Sequence, residues 1–554
     1  MFKRIFTRST RFMFTQQRSI LSAAAVIMTT VMLSRVLGLF RDRLLATYFS
    51  VDELGVYFAA FRLPNFLFEL LIMGALSTAF IPVFTRIVLK ENQEKAFAMG
   101  AQMINLGTIS IGFLIVPLFI FARPISYLLV PGFNPEEREL MIAFTRIMLV
   151  GQLIPLVIGN FMTGMLQSLQ RFFIPALAPV VYNIGIIIGV VLFARTYGLY
   201  GAVFGVVIGA VLYLLVQIPL LVKLGYSHQL KIHLFDPNIK SVMRLMLPRA
   251  FGLAVYQIDT TMDLILASNL GTRSITIFNF AQQLQQLPIG LFAGTIAQAA
   301  LPALSHNTDK EDLTEFKKLI IASIHQILFF VLPASAMLIV LRTPIVRLVF
   351  GAARFDWSAT VATGQTLSFF AISIFAQSLV QLLARAFYAL YDTKTPVIIG
   401  VVSVLINTFL SIIFVSFLVL PVWSMAISTS VASLINAAFL LLYLDRRVGG
   451  FDVKLLSIPT IKMLFASLAT GVFLYLPVKL FDQLIFDTRR VFDLFLLTSV
   501  ASTIGLSVYI FLAWFLDIDE VTTFFKLLQK MKRAPRLLFA RSDELVTEER
   551  SPLP

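Results

Sequence analysis

Arg35, Arg41, Asp42, Arg43, Arg62 and Glu69 lie in or beside two apolar helix-length runs, within SRVLGLFRDRLLATYFSVDELGVYFAAFRLPNFLFELLIMGALSTAFIP at 34–82. At bilayer depth each charge costs about 2.5–3.5 kcal/mol or more, so charges kept there need a function or a partner. Arg35 and Asp42 are two helical turns apart and share a face, with Arg41 turned about 120° from them. Arg62, Asn65, Glu69 and Met73 follow a single helical stripe with Pro64 near its start. The two polar stripes suit opposite walls of a cavity. The alternative is that Arg41 and Arg62 snorkel to an interface while Glu69 neutralises a neighbouring arginine.

Further along, Asp259 and Asp263 stand one turn apart with Gln257 close by. Two acids on one face of a span repel unless protonated or matched by a cation. They are candidates for a sodium or proton site, with Asn407, Ser411 and Thr429 offering neutral oxygens from later helices. An equally weighted reading pairs them with the arginines of the first helix. Gln282, Gln283, Gln285 and Gln286 precede Pro288. Amides of this kind bind sugar or peptide groups, and they also hold helices together. Gln283 and Gln286 are taken as substrate-binding candidates beside Arg35, Arg41 and Arg62.

Catalytic constellations do not accompany these residues. The phosphate loop G-x-x-x-x-G-K-[ST], the H-E-x-x-H zinc pair and the G-x-S-x-G elbow are absent, and the four histidines are scattered. With no cysteine, thiolate metal sites, iron–sulfur clusters and cysteine nucleophiles are excluded. The chain is read as a non-enzyme without a resident cofactor.

The elements that position the charges are membrane helices. A 58% hydrophobic composition and a mean hydropathy of +0.87 over 554 residues indicate an all-α integral membrane protein. Apolar stretches long enough to cross about 30 Å of hydrocarbon number about fourteen. The first is placed at 19–41, the second at 56–88, the seventh at 241–268 and the eighth at 274–304. An even number puts both termini on one side. Basic residues crowd the leader and the tail after the last span, and Arg86, Lys90, Lys95, Lys223, Lys231, Arg446 and Arg447 fall in connections on that side. The positive-inside rule makes it the cytoplasm. The net charge of +15 thus sets topology and gives no sign of a nucleic-acid partner. Arg342, Arg347 and Arg354 on the opposite side run against the rule.

The chain also repeats itself. ALSTAFIPVFTR at 75–86 aligns with TIAQAALPALSH at 295–306, and LQRFFIP ending at Pro175 with LYDTKTP ending at Pro396, at nearly one offset. Duplication of a six-helix unit follows, both copies running in the same sense across the membrane. The units are an N-terminal lobe at 19–225, a C-terminal lobe at 238–450, two extra helices at 455–518 and a cytoplasmic tail at 519–554. A polar connection around 226–240 joins the lobes.

SRVLGLFRD at 34–42, FRLPN at 61–65, GALSTAFIPVF at 74–84 and RAFYALYDTKTPV at 385–397 resemble the MurJ (MviN) lipid II flippases of the multidrug/oligosaccharidyl-lipid/polysaccharide exporter superfamily. The resemblance covers nearly the whole chain, including the two extra helices. It implies two six-helix lobes around a central cavity and a groove on the last two helices for a lipid tail. The implied cargo is a polyprenyl-diphosphate-linked disaccharide-pentapeptide, moved from the cytoplasmic to the outer leaflet by alternating access in a bacterial cell membrane. Arg35 and Arg41 match the family's cavity arginines. Arginine suits the diphosphate because its fork donates bidentate hydrogen bonds and keeps its charge. Phe68, Met73, Gly55 and Gln283 depart from the family's charged residues at their positions, and Asp259 stands where some members place a sodium ligand. The expected partners are lipid II or a similar glycolipid and membrane lipids, with the chain acting as a monomer. An exporter of other lipid-linked oligosaccharides, a cation-coupled drug exporter and a non-transporting cell-wall scaffold are the alternatives.

Overall fold

A computed structural model describes residues 20–70, 79–231, 233, 236–306, 313–484 and 490–522; the leader, Met73 and most of the tail lie outside these. The first helix, α1 (Ile20–Tyr48), runs past the expected end at 41. It can do so because its charges find partners: Arg41 pairs with Asp42 at 2.8 Å, and Arg43 donates to the Leu348 carbonyl. Ser50 then starts α2 (Val51–Ala60) with a capping box. Its hydroxyl accepts the Glu53 amide at 3.3 Å, and the Glu53 carboxylate accepts the Ser50 amide at 2.7 Å. The chain bends at Phe61 into α3 (Arg62–Phe68) and resumes as α4 (Ile81–Lys90).

The first half continues through α5 (Gln93–Ile120), α6 (Ala122–Leu129), α7 (Pro135–Gly151), α8 (Leu153–Ser168), α9 (Phe173–Tyr197), α10 (Leu199–Leu215) and α11 (Ile218–Lys223). The second half begins with α12 (Pro237–Asn269) and α13 (Thr272–Pro288), a π-turn at Ile289–Ala293 and α14 (Gly294–His306). It goes on through α15 (Thr314–Val340), α16 (Arg342–Phe350), α17 (Trp357–Ala389), α18 (Lys394–Ile412) and α19 (Trp423–Arg447). Then come α20 (Val453–Leu484) and α21 (Val491–Phe515). Among the described residues all regular structure is helical.

Among the described residues, eleven helical stretches are long and apolar enough to cross a membrane. Those not among them, α1, the broken stretch Val51–Lys90 and α12, are the ones that carry the charges of interest. The short helices α6 and α16 were not expected. Their sequences, ARPISYLL and RTPIVRLVF, share a proline at the third position.

Two helix ends are built alike. Gln170 and Tyr391 both adopt φ of 57°, and the following amides bond back across the turn, Arg171 to Leu166 at 2.8 Å and Asp392 to Phe387 at 2.9 Å. Each is a left-handed C-cap, and their separation in sequence equals that of Pro175 and Pro396. Within the first half, α9 and α10 pack through glycines: a Cβ on Gly189 would lie 2.5 Å from the Gly205 nitrogen. Small residues allow this approach where apolar burial drives little association.

The core has three main parts. One cluster, with Phe80, Phe84, Phe161 and Met165, belongs to the first half and takes in Ile239 and Val242 from the start of α12. Another, with Ile320, Phe329, Leu382 and Phe387, belongs to the second half together with Met463 and Tyr509 of α20 and α21. The third unites the halves: Leu45, Tyr57 and Phe144 pack with Phe280, Phe350 and Phe370. Phe280 stacks on Phe350 at 3.9 Å, and Phe58 meets Phe280 edge-on at 5.5 Å. The shared core lies toward the end that bears the Glu136–Glu137 loop, called here the acidic end.

Charges also tie the halves together at that end. Thr272 Oγ1 lies 3.2 Å from an Asp52 oxygen and 3.3 Å from a Glu137 oxygen, Thr276 donates to the Val51 carbonyl at 2.7 Å, and Arg273, which pairs with Asp356 of its own half, also reaches Asp52 at 3.8 Å. Arg354 reaches Glu53 at 3.8 Å and Arg347 lies over the Trp357 ring at 5.4 Å. Of the arginines that run against the charge rule, Arg354 is thus held by an acid and Arg347 by a ring, while Arg342 donates to the Ile339 carbonyl.

Candidate functional site

Beneath the shared core a cavity of about 330 Å³ opens between the halves. Arg35, Gly38, Leu39, Arg41 and Asp42 of α1 form one wall; Tyr256 of α12 and Gln282, Gln283, Gln286 and Leu287 of α13 form the other. The four glutamines therefore divide. Gln282, Gln283 and Gln286 line the cavity, whereas Gln285 is 1% exposed and packs inside the protein.

Arg41 and Arg35 are held differently. Arg41 donates from Nε to Asp42 Oδ1 at 2.9 Å and from Nη1 to Asn183 Oδ1 at 3.0 Å. Asn183 donates in turn to Ser34 Oγ at 3.2 Å and to the Pro179 carbonyl at 3.0 Å. Asp42 is 1% exposed, so the pair fixes the guanidinium at the cavity wall and neutralises much of its charge. Arg35 has no ion-pair or hydrogen-bond partner among the described residues and faces the opening. Its guanidinium lies against the π-turn at Gly290, where an added Cβ would sit 2.6 Å from Nη2. Glycine at this position is what lets the arginine lie there. π-Turns are frequent at functional sites.

A second chamber of about 170 Å³ adjoins the first, and Gln282 lines both. Phe58, Phe61, Arg62 and Asn65 come from α2, the bend and α3; Thr260 and Asp263 from α12; Phe278 and Asn279 from α13. Arg62 turns toward α12, donating to Thr261 Oγ1 at 2.9 Å and to both the carbonyl and the side-chain oxygen of Gln257 at 2.6 Å. It thereby bridges the halves. Glu69 acts on Arg62 through space without an ion pair within 4 Å among the described residues.

The structure brings part of the candidate cation set together. Asn407 of α18 donates to Asp259 Oδ1 at 3.0 Å, and Asp263 stands one turn further along α12. Thr429 donates to the Met425 carbonyl of its own helix at 3.0 Å, and Ser411 pairs with Ser428. Neither acid pairs with Arg35 or Arg41 among the described residues, since Arg41 has its counter-ion next to it in sequence. Asn183, Tyr256 and Gly290 were missed by sequence reasoning. Asn183 had a signal, as the one amide inside the apolar run of α9. Gly290 had none, because its importance lies in the side chain that approaches it.

The family model for lipid II flippase MurJ matches residues 45–488, which takes in the α12 and α13 wall of this cavity, while the α1 wall from Arg35 to Asp42 lies just before the match. A probable lipid II flippase MurJ of Bdellovibrio bacteriovorus is 27% identical over 515 residues, covering 91% of this chain and 96% of that protein. One from Thermotoga maritima is 29% identical over 496 residues, covering 88% and 95%. The solved structure of a lipid II flippase MurJ in an inward closed conformation superposes with a TM-score of 0.71 at 27% identity, covering 88% of this chain and 98% of that one. An inward-facing multidrug resistance MATE transporter shares the fold at a TM-score of 0.64 and 14% identity, covering 77% and 98%. A chain matched by the family model over most of its length, with full-length relatives of the same description, belongs to the MurJ family of lipid II flippases.

Proposed function

We propose that this protein carries lipid II from the cytoplasmic to the outer leaflet of a bacterial cell membrane by exposing the cavity between its halves to each side in turn. The observation that carries this reading is Arg35, a guanidinium without a partner among the described residues, facing a cavity whose opposite wall is three glutamines. A diphosphate takes the bidentate fork of Arg35, Arg41 reaches it from beside Asp42, and the glutamine amides suit the sugars. The polyprenyl chain stays in lipid, where each buried CH₂ is worth about 0.8 kcal/mol.

Several features support the finer architecture. Counting α1, the segment holding α2 to α4, and α12 as crossings brings the eleven apolar stretches to fourteen, an even number that supports both termini lying on one side, the cytoplasmic side by the positive-inside rule. The matched C-caps at Gln170 and Tyr391 support a repeated six-helix unit. The last two helices pack on α15 while exposing Phe465, Leu468, Val472 and Phe473, a surface suited to a lipid tail. A core shared broadly at the acidic end, with only the start of α12 joining the first-half core elsewhere, fits halves that rock and a cavity that here opens toward the cytoplasm. Asp259, Asp263 and Asn407 offer a place for sodium or proton coupling, and the membrane potential is the other source, at about 2.3 kcal/mol per charge per 100 mV.

The test is leaflet accessibility of labelled lipid II in cells depleted of their own flippase and expressing this protein. Outward movement is restored by the wild type and lost in Arg35→Ala. Normal expression without restored movement overturns the reading. A rate unaffected by sodium in both the wild type and Asp259→Asn removes sodium coupling.

A further inference from the structure

We propose that the smaller chamber is a subsite for a primary ammonium group on the peptide of the translocated headgroup. The proposal rests on the lipid II reading, and it assigns a second anchoring point across Gln282 from the arginines. Asp263 is 8% exposed and lines the chamber. Asn65 and Asn279 add amide oxygens, and the rings of Phe58, Phe61 and Phe278 complete the walls. A carboxylate, amide oxygens and aromatic faces together make the environment that receives an organic ammonium, through an ion pair, hydrogen bonds and cation–π attraction.

The charge balance calls for a cation. Asp263 and Glu69 both act on Arg62 and Asp259 acts on Asp263, so acidic side chains outnumber the one guanidinium in this region. Arg62 does not neutralise Asp263 directly: its donors go to Gln257 and Thr261, and no ion pair within 4 Å joins the two among the described residues. Sodium is the competing occupant, since Asp263 stands beside Asp259 and Asn407, and the sodium arm of the test below separates the two. The two chambers thus sort a headgroup by opposite charges, anion beside Arg35 and ammonium beside Asp263.

Two measurements test this on the full-length protein. The chain has no cysteine, so Thr260→Cys places one thiol in the chamber. A cationic alkylammonium methanethiosulfonate is expected to outpace an anionic sulfonate reagent there, relative to their rates with free thiol, and Asp263→Asn is expected to cut that preference about tenfold. A preference unchanged by Asp263→Asn overturns the proposal. In the second measurement, binding of lipid II with a free peptide amine is compared with lipid II acetylated at that amine, at fixed and at varied sodium. The wild type is expected to bind the acetylated lipid about tenfold more weakly, the loss of one charge-assisted contact, independently of sodium. Equal binding of both lipids overturns the ammonium site alone, as does a preference that sodium abolishes. Binding of neither lipid overturns the lipid II reading and this subsite with it.

Discussion

Gly55→Ala is expected to unseat the closed acidic end. A Cβ on Gly55 would lie 2.6 Å from the Thr272 carbonyl carbon and closer still to its oxygen. The obstacle is backbone, so no side chain can swing away, and α2 and α13 must part. Overpacking of this kind costs about 1–3 kcal/mol. The strain exists only while α2 and α13 are in contact. The gain of about 1 kcal/mol from replacing glycine by alanine in a helix applies whether they touch or not, and cancels from the equilibrium between states. A bias of about 1–3 kcal/mol shifts that equilibrium by about 5–150-fold toward separation. Asn279→Cys, in this cysteine-free chain, reports the change when intact cells are treated with a membrane-impermeant maleimide, since Asn279 lies beneath the seal. Labelling is expected to rise by about that factor in the Gly55→Ala background. Gly112→Ala, a site with open space around it, is the control. An unchanged rate with Gly55→Ala, or an equal rise with Gly112→Ala, would refute the reasoning.

Gly290→Ala pushes the Arg35 guanidinium off the π-turn; because that side chain is flexible, thermal stability is expected to hold while lipid II binding weakens about tenfold, as measured by titration of the purified protein. Gly189→Val drives a branched side chain into the α10 backbone and is expected to lower stability by about 1–3 kcal/mol or more, read as a fall in melting temperature. Asp356, outside the spans, has its carboxyl pushed down to about 2, chiefly by the Arg273 guanidinium. Its pairing with Arg273, within the second half at the acidic end, is therefore fully present above the ordinary carboxylate value of about 3.9 and is lost as pH falls toward the lowered one. The difference in melting temperature between wild type and Asp356→Asn should be constant from neutral pH to about 4 and shrink below it. At a half-exposed pair the effect is at most about 1 kcal/mol.

Much of this protein is determined by its sequence directly. Long apolar runs allow one structure in lipid, the helix, so the class and most helix positions follow from composition. The intramembrane charges were legible for the same reason: Arg35, Arg41, Asp259 and Asp263 stand out because the bilayer makes them expensive. The resemblance of SRVLGLFRD and YDTKTP then gave the family.

Only the tertiary structure decided how those charges are used. Arg35 and Arg41 are six residues apart on one helix, yet Arg41 is held by Asp42 and Asn183 while Arg35 rests against Gly290 of the other half. Of four adjacent glutamines, three line the cavity and Gln285 does not, a division set by how α13 is rotated against its neighbours. Gly55, which reads as a missing charge, is the point where two backbones meet. Sequence periodicity reports which face of a helix is polar. What that face touches depends on residues far away in the chain, such as Gly290 for Arg35 and Gln257 for Arg62, and only the packing of the halves brings them together.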